Sequence, residues 1–297
     1  FTVGADTNYS DTTGTGMVAW NWKAGGAPTA DNSAGVGNTP TAGSVKIDGS
    51  NLGSALAGDI AATRISANTT SAFSIAKYTG NDTAGATVAH GLGVAPELVI
   101  IKNLTNAQAW AVTSPELGTT GDTTGGLAEY YMLALNTTAA RADYSQDNIF
   151  GLTSTTFSVG SSGSMNEVNN SSYSYVAYCF SSIEGYSKVG SYIGNGATGT
   201  SGSRDGPFIY TGFKPAYVLV KRKDSTGEWF IYDSARDTYN YVRKDIVAND
   251  NAAEGASNPY ADFLSNGFKS RGGENVSGGT YIYLAFAESP FKYSNAR

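Results

Sequence analysis

The sequence predicts an all-β protein made of tandem β-sandwich or jelly-roll modules, preceded by the terminal hairpin of a further module. Three observations carry that expectation. Gly accounts for 37 of 297 residues while Asp, Glu, Lys and Arg together make up only 15%, a composition suited to turns and short strands rather than solvated helices. Runs rich in Val, Ile, Tyr and Phe alternate with period two, as half-buried strands require. Two long stretches of the chain also repeat each other, which sets the organisation of the whole.

Taken in order, Phe1-Thr-Val-Gly4 matches Phe157-Ser-Val-Gly160, and Met17-Val-Ala-Trp20-Asn-Trp22 matches Tyr175-Val-Ala-Tyr178-Cys-Phe180. Residues 1–23 therefore read as the closing hairpin of a preceding module. A lone strand pair is marginal in water, so an upstream segment, another protomer or the next module is expected to cover it. Residues 24–70 are rich in Ala, Gly, Ser, Thr and Asn and contain Pro28 and Pro40; they read as a linker or extended wrap, with a short helix over Leu52–Arg64.

Residues 71–188 and 189–297 are the two full modules. Gly93-Val-Ala-Pro96-Glu-Leu98-Val-Ile-Ile-Lys102 overlays Gly212-Phe-Lys-Pro215-Ala-Tyr217-Val-Leu-Val-Lys221 at an offset of 119, which also carries Trp110 onto Trp229. Farther on, Tyr175-Val-Ala-Tyr178 overlays Tyr283-Leu-Ala-Phe286 at an offset of 108, so the first copy holds about 11 extra residues between 118 and 174. In this closing strand one face is bulky, with Val176/Leu284 and Tyr178/Phe286. The other is small, with Ala177/Ala285 and Cys179/Ala287. A core is expected on the bulky face and a close neighbour on the small one.

One Cys and one His cannot build a disulfide framework or a Cys/His metal centre, although an oxygen-ligand calcium site stays open. No cofactor is expected. The formal charge of −6 disfavours a nucleic-acid partner, and no apolar run is long enough for a membrane-spanning helix. Cys179 reads as a small filler, His90 as a turn histidine, and Trp110 and Trp229 as sheet-packing residues. The acids Glu129, Asp143 and Asp147 in the first module, and Asp233, Asp237 and Asp245 in the second, show no spacing shared by the copies. No catalytic residue is assigned.

Recognition is expected where the copies differ and loops are exposed. Arg236, Tyr239, Tyr241, Arg243 and Lys244 combine cations with aromatics in one segment. Residues 187–297 hold 13 Lys and Arg against 11 Asp and Glu, a net of +2, whereas residues 1–186 hold 6 against 14, a net of −8. The second module is thus the expected contact for an anionic surface such as an acidic polysaccharide.

Phe73-Ser-Ile-Ala-Lys-Tyr78-Thr-Gly-Asn81, Ala89-His-Gly-Leu-Gly-Val-Ala-Pro96, Trp229-Phe-Ile-Tyr-Asp-Ser-Ala-Arg236, Leu264-Ser-Asn-Gly-Phe268-Lys and Tyr281-Ile-Tyr-Leu-Ala-Phe-Ala-Glu288 resemble a repeated module of tail-fibre-like virion proteins of tailed bacteriophages, many of them marine. The resemblance covers about residues 73–297. It implies a non-enzymatic virion protein that meets other virion proteins and attaches to host surface polysaccharide or an envelope protein. The family pattern supplies no catalytic residue to carry over. Ser114 and Leu117 stand in the first module where the second has Asp233 and Arg236, so a site built from that pair belongs to the second copy alone. A homo-oligomer, a trimer in its expected form, follows from the small-residue face and from 19 Tyr in a charge-poor chain. The rival expectations are a decoration or filament protein without a receptor, a surface-glycan depolymerase, and a bacterial surface adhesin.

Overall fold

The computed structural model describes residues 17–118, 130–142, 151–160, 168–197, 204–256 and 260–290. The first module contributes β1 (Val45–Ile47), β2 (Ser50–Asn51), β3 (Arg64–Asn68), β4 (Phe73–Thr79), β5 (Ala86–Ala89), β6 (Leu98–Asn103), β7 (Trp110–Thr113), β8 (Met132–Ala134), β9 (Thr156–Val159) and β10 (Ser174–Phe180). The second contributes β11 (Ser187–Ile193), β12 (Phe208–Tyr210), β13 (Pro215–Arg222), β14 (Trp229–Asp233), β15 (Ile246–Val247), β16 (Ala261–Leu264), β17 (Gly267–Ser270) and β18 (Thr280–Ala287). A 3-10 turn, Pro115–Leu117, follows β7. The protein is all-β, of sandwich type.

These strands form an eight-stranded sheet (β2-β1-β3-β4-β10-β6-β7-β8), a five-stranded sheet (β11-β18-β13-β14-β15), a three-stranded sheet (β12-β17-β16) and a pair (β5-β9). The alternation within the closing strands decides how they stack. In β10, Tyr175, Ala177 and Cys179 meet Val88, Phe157 and Val159 of the β5-β9 pair, making the first module's own core. In β18, Tyr281, Tyr283 and Ala285 meet Ile209, Phe263 and Phe268 of the three-stranded sheet. The opposite faces, with Phe180 on β10 and Ile282, Leu284 and Phe286 on β18, meet each other in a third core. The molecule is therefore four layers: small sheet, large sheet, large sheet, small sheet.

This reverses the expected roles of the two faces. The small face lies inside each sandwich, where Ala and Cys make room for stacked tyrosines: Tyr78 on Tyr175 at 5.2 Å and Tyr192 on Tyr281 at 4.9 Å. The bulky face forms the seam between the modules. The small face thus offers no surface for an oligomer.

Gly93–Lys102 and Gly212–Lys221 do occupy matching places. β6 lies between β10 and β7, and β13 between β18 and β14. The closing strand, however, is offset differently from the sequence reading. Ile100 pairs with Tyr178, and Leu219, 119 residues on, pairs with Leu284, which lies 106 residues beyond Tyr178. Tyr175 thus corresponds to Tyr281 rather than Tyr283. Side-chain bonds agree. Asn169 accepts from the Asn81 N–H at 3.0 Å, and Asn275 accepts from the Asn195 N–H at 2.9 Å; the Tyr175 and Tyr281 hydroxyls accept from the Asn170 and Val276 N–H groups at 2.9 and 3.0 Å.

Residues 24–70 are not a free linker. β1, β2 and β3 extend the eight-stranded sheet beyond β4, with β1 parallel to β3, because Val45, Ile65 and Ala67 supply apolar side chains to the first core. Leu52–Arg64 contains no helical turn; two glycines, at 53 and 58, weaken a helix there, and Gly58 instead packs where a Cβ would stand 2.7 Å from the Thr87 carbonyl oxygen. The boundary at 188/189 falls inside β11, which starts at Ser187. Of the expected hairpin 1–23, residues 1–16 lie outside the described residues, and 17–23 pair with no strand among the described residues. Trp20 and Trp22 instead enter the edge of the seam, with ring centroids 5.6 and 5.8 Å from Tyr217.

The seam is closed firmly on the β8 side. The Trp229 indole N–H donates to Ala134 O at 2.9 Å, the Arg141 N–H to Lys223 O at 2.9 Å, and the Gly227 N–H to Thr138 O at 2.9 Å. The buried Lys221 ammonium donates to Arg222 O at 2.6 Å and Thr138 O at 3.3 Å, and burial pulls its pKa down to about 8. No helix among the described residues is long and apolar enough to cross a membrane.

Candidate binding face

The outermost layer of the second module is the three-stranded sheet, and its strands alternate between core and solvent. Ile209, Phe268, Phe263 and Ala261 point into the core. Their neighbours face outward in two cross-strand rows: Phe208–Lys269–Asp262 and Tyr210–Gly267–Leu264. Phe208 is 47% and Tyr210 66% exposed, an unusual cost for aromatics on an edge strand unless something covers them. At Gly267 the Phe208 ring lies so close that an added Cβ would stand 2.9 Å from it.

The loop after β14 borders the other edge of this sheet. Val242 pairs with Ala261, and the Asn240 side chain bonds both backbone groups of Phe263, donating to its carbonyl at 2.9 Å and accepting from its N–H at 2.8 Å. That anchorage presents Tyr239, 82% exposed, with Tyr241 half-buried beside it. Arg243 lies over the Tyr241 ring at 4.6 Å and donates to its hydroxyl at 2.6 Å. Aromatics therefore stand at both edges of one face, about 14 Å apart at ordinary strand spacing. Between them, Lys269 bridges Asp205, and Arg271 holds Asp262 at 2.5 Å.

The five residues singled out by sequence divide. Tyr239, Tyr241 and Arg243 belong to this face. Lys244 pairs with Glu254 at 3.1 Å. Arg236 is structural: its side chain is 11% exposed and ion-paired with Asp233 at 2.6 Å and Glu254 at 3.0 Å. It also donates to Ile231 O at 3.1 Å and sits 5.8 Å over the Trp20 ring. Asp233 in turn accepts from the Trp20 indole at 3.3 Å. Leu117, at the matching place in the first module, is buried in the seam, and Ser114 caps the 3-10 turn there. The same position thus serves the seam in both copies, by apolar contact in one and by a clamp on Trp20 in the other.

Phe208 and Tyr210 were missed by the sequence reading. The signal was present: the run Phe208-Ile-Tyr210 keeps a large apolar residue at both outward positions of a short strand. With Phe157 matched to Phe268, the registers place Thr87 and Ala89 of the first module at the positions of Phe208 and Tyr210. In that module Thr87 is occupied by Asp59, which takes both its hydroxyl and its N–H. The aromatic face is therefore confined to the second copy.

Other titratable groups are sealed in. His90 is buried, its Nδ1 accepting from the Leu92 N–H at 3.1 Å and its Nε2 lying 3.2 Å from Thr153 O; burial pulls its pKa down to about 4. Cys179 is buried, its pKa pushed up to about 12. Asp237 accepts from the Arg243 N–H at 2.7 Å. Asp245 and Glu274 lie near each other beneath the outer sheet, both buried, and burial raises both pKa values, that of Glu274 to about 7. Glu129, Asp143 and Asp147 fall outside the described residues. Among the described residues no three His, Cys, Asp or Glu side chains converge as metal ligands would.

No curated protein and no solved structure matches the chain. One family model, Domain of unknown function (DUF7483), runs through both sandwiches and the N-terminal segment from residue 1 to residue 290, and the chain belongs to that family.

Proposed function

We propose that the protein is a non-catalytic appendage protein of a tailed-phage virion that attaches to polysaccharide on the host surface through the outer face of its second module. The observation that carries this reading is the exposed aromatic set Phe208, Tyr210 and Tyr239, with half-buried Tyr241 beside it, around a centre of charged pairs. Flat aromatic rings offer a pyranose a stacking surface, and Lys269, Arg271 and Arg243 offer its hydroxyl and acidic groups hydrogen bonds. The face spans about 14 Å, room for a few sugar rings, so each site binds weakly. Linking such sites in a homo-oligomer, a trimer in this reading, raises avidity by about 10² to 10⁴ without new contacts.

Affinity electrophoresis through gels containing bacterial capsular polysaccharides tests the proposal. Retardation by at least one polymer, abolished in Y210A and Y239A, is the expected result. Unretarded wild-type protein would favour a decoration or filament role, and a fall in polymer length would favour a depolymerase. Sedimentation should give a species about three times the mass of the chain; a stable monomer would remove the multivalent mechanism.

A further inference from the structure

The two large sheets do not cover each other completely. The seam is tight near β8, but toward β3 and β4 the eight-stranded sheet outruns its five-stranded partner. An inner cleft of about 410 Å³ runs between the sheets under Trp20 and Trp22. An outer cleft of about 580 Å³ continues it under Ala24, Ala27 and Pro28. Ile75 and Tyr178 wall both.

Sheet register orders the eight-stranded sheet beneath this groove into three rows, whose ends at Leu98 and Lys102 lie beyond the cleft walls. Phe73–Phe180–Leu98 is deepest, with the two phenyl rings stacked at 4.8 Å. Ile75–Tyr178–Ile100 comes next. The third row is Arg64–Lys77–Val176–Lys102, and it is cationic. Residues 1–186 contain only six Lys and Arg against 14 acids, yet three of the six stand in this one row. Like charges set side by side across strands repel. Arg64 is answered by Asp31. Lys102 donates to Gln108 O at 2.8 Å and lies 5.8 Å over the Trp110 ring. Lys77, half-buried between them, has no carboxylate partner among the described residues.

An apolar, aromatic-walled trough that ends on an unanswered ammonium has the chemistry of a site for an anionic amphiphile. We propose that the groove binds a single acyl chain bearing a carboxylate, its tail in the inner cleft along Phe73, Ile75 and Trp22 and its head at Lys77. Phe73 and Lys77 are about 13 Å apart at strand rise, a span that suits ten to twelve carbons. This site is separate from the glycan-binding face and does not depend on it.

Three of the four tryptophans, Trp20, Trp22 and Trp110, line the inner cleft, so intrinsic fluorescence reports occupancy directly. Dodecanoate, titrated below its micelle range into the full chain, should shift the emission saturably. K77Q should weaken binding about tenfold, the scale of one charge-assisted contact. Dodecyl maltoside, with the same tail and no charge, should bind weakly by a similar factor. I75W, which fills the floor, should abolish the response, while Y239A should leave it intact. No saturable shift, equal affinity for the neutral amphiphile, or unchanged binding to K77Q would each overturn the assignment.

Discussion

Glu274 sits where a carboxylate pays most for its charge. Its Oε2 accepts from the Tyr232 hydroxyl at 2.7 Å and its carbonyl from the Tyr192 hydroxyl at 2.9 Å, but burial, with Asp245 nearby, outweighs these bonds and lifts the pKa to about 7. The folded state therefore holds this proton more tightly than the unfolded chain. Its contribution is fully present below the ordinary carboxylate range and is lost as pH rises to about 7. His90 has the opposite sign: with its pKa pulled down to about 4, it contributes above the ordinary histidine value and loses that contribution as pH falls. E274Q removes the first dependence and leaves the second. Relative to wild type, the variant should gain on the order of 3 kcal/mol between pH 4.5 and pH 7.5, measured by urea unfolding at each pH. A difference independent of pH would mean that Glu274 is charged in the fold. Arg236 illustrates what sequence could not supply at this scale. Its cation was legible, but Glu254 and Trp20, which consume it, lie 18 and 216 residues away and meet it only through the fold.

At the scale of the strand, the repeat was readable and its register was not. A slip of two residues leaves every side chain on its own face, so Tyr175-Val-Ala-Tyr178 aligns with Tyr283-Leu-Ala-Phe286 by type although it stacks as Tyr281-Ile-Tyr-Leu284. What fixes the register is polar and local. Asn169 and Asn275 reach across to the Asn81 and Asn195 N–H groups, where Gly80 and Gly194 admit the backbone: a Cβ would stand 2.4 Å from Asn170 O in one and 2.2 Å from Val276 O in the other. Sequence did contain this, as Tyr-x-Gly-Asn at residues 78–81 and 192–195 with Asn-x₅-Tyr at 169–175 and 275–281, but only geometry ties the two patterns together. N275A strips the Asn195 N–H of its acceptor and should cost about 1–3 kcal/mol. The loss should appear in hydrogen exchange as a larger fall in protection at β11 and β18 than at β4 and β10. Equal loss in both modules would show that this bond does not hold the register locally.

Across the whole molecule, the bulky faces that looked like module cores are the joint between modules. Each sandwich therefore carries an apolar outer surface that only its partner hides. Phe73, Ile100 and Val112 are buried against Leu219, Ile231 and Leu284, while backbone bonds from Gly227 and Arg141 tie the β8 side across the seam. Modules joined in this way should melt together, unlike beads on a linker, whose interfaces are smaller and more polar. L219A tests this because Leu219 belongs to the second module and touches the first only through the seam. Truncating a buried leucine there should lower stability by about 2–5 kcal/mol. If the seam couples the layers, exchange protection in β4 and β6 falls together with that in β13 and β14, and unfolding remains a single transition. Deprotection confined to the second module, or two separate transitions, would mean that the sandwiches are stable alone and that the seam only fixes how they are presented.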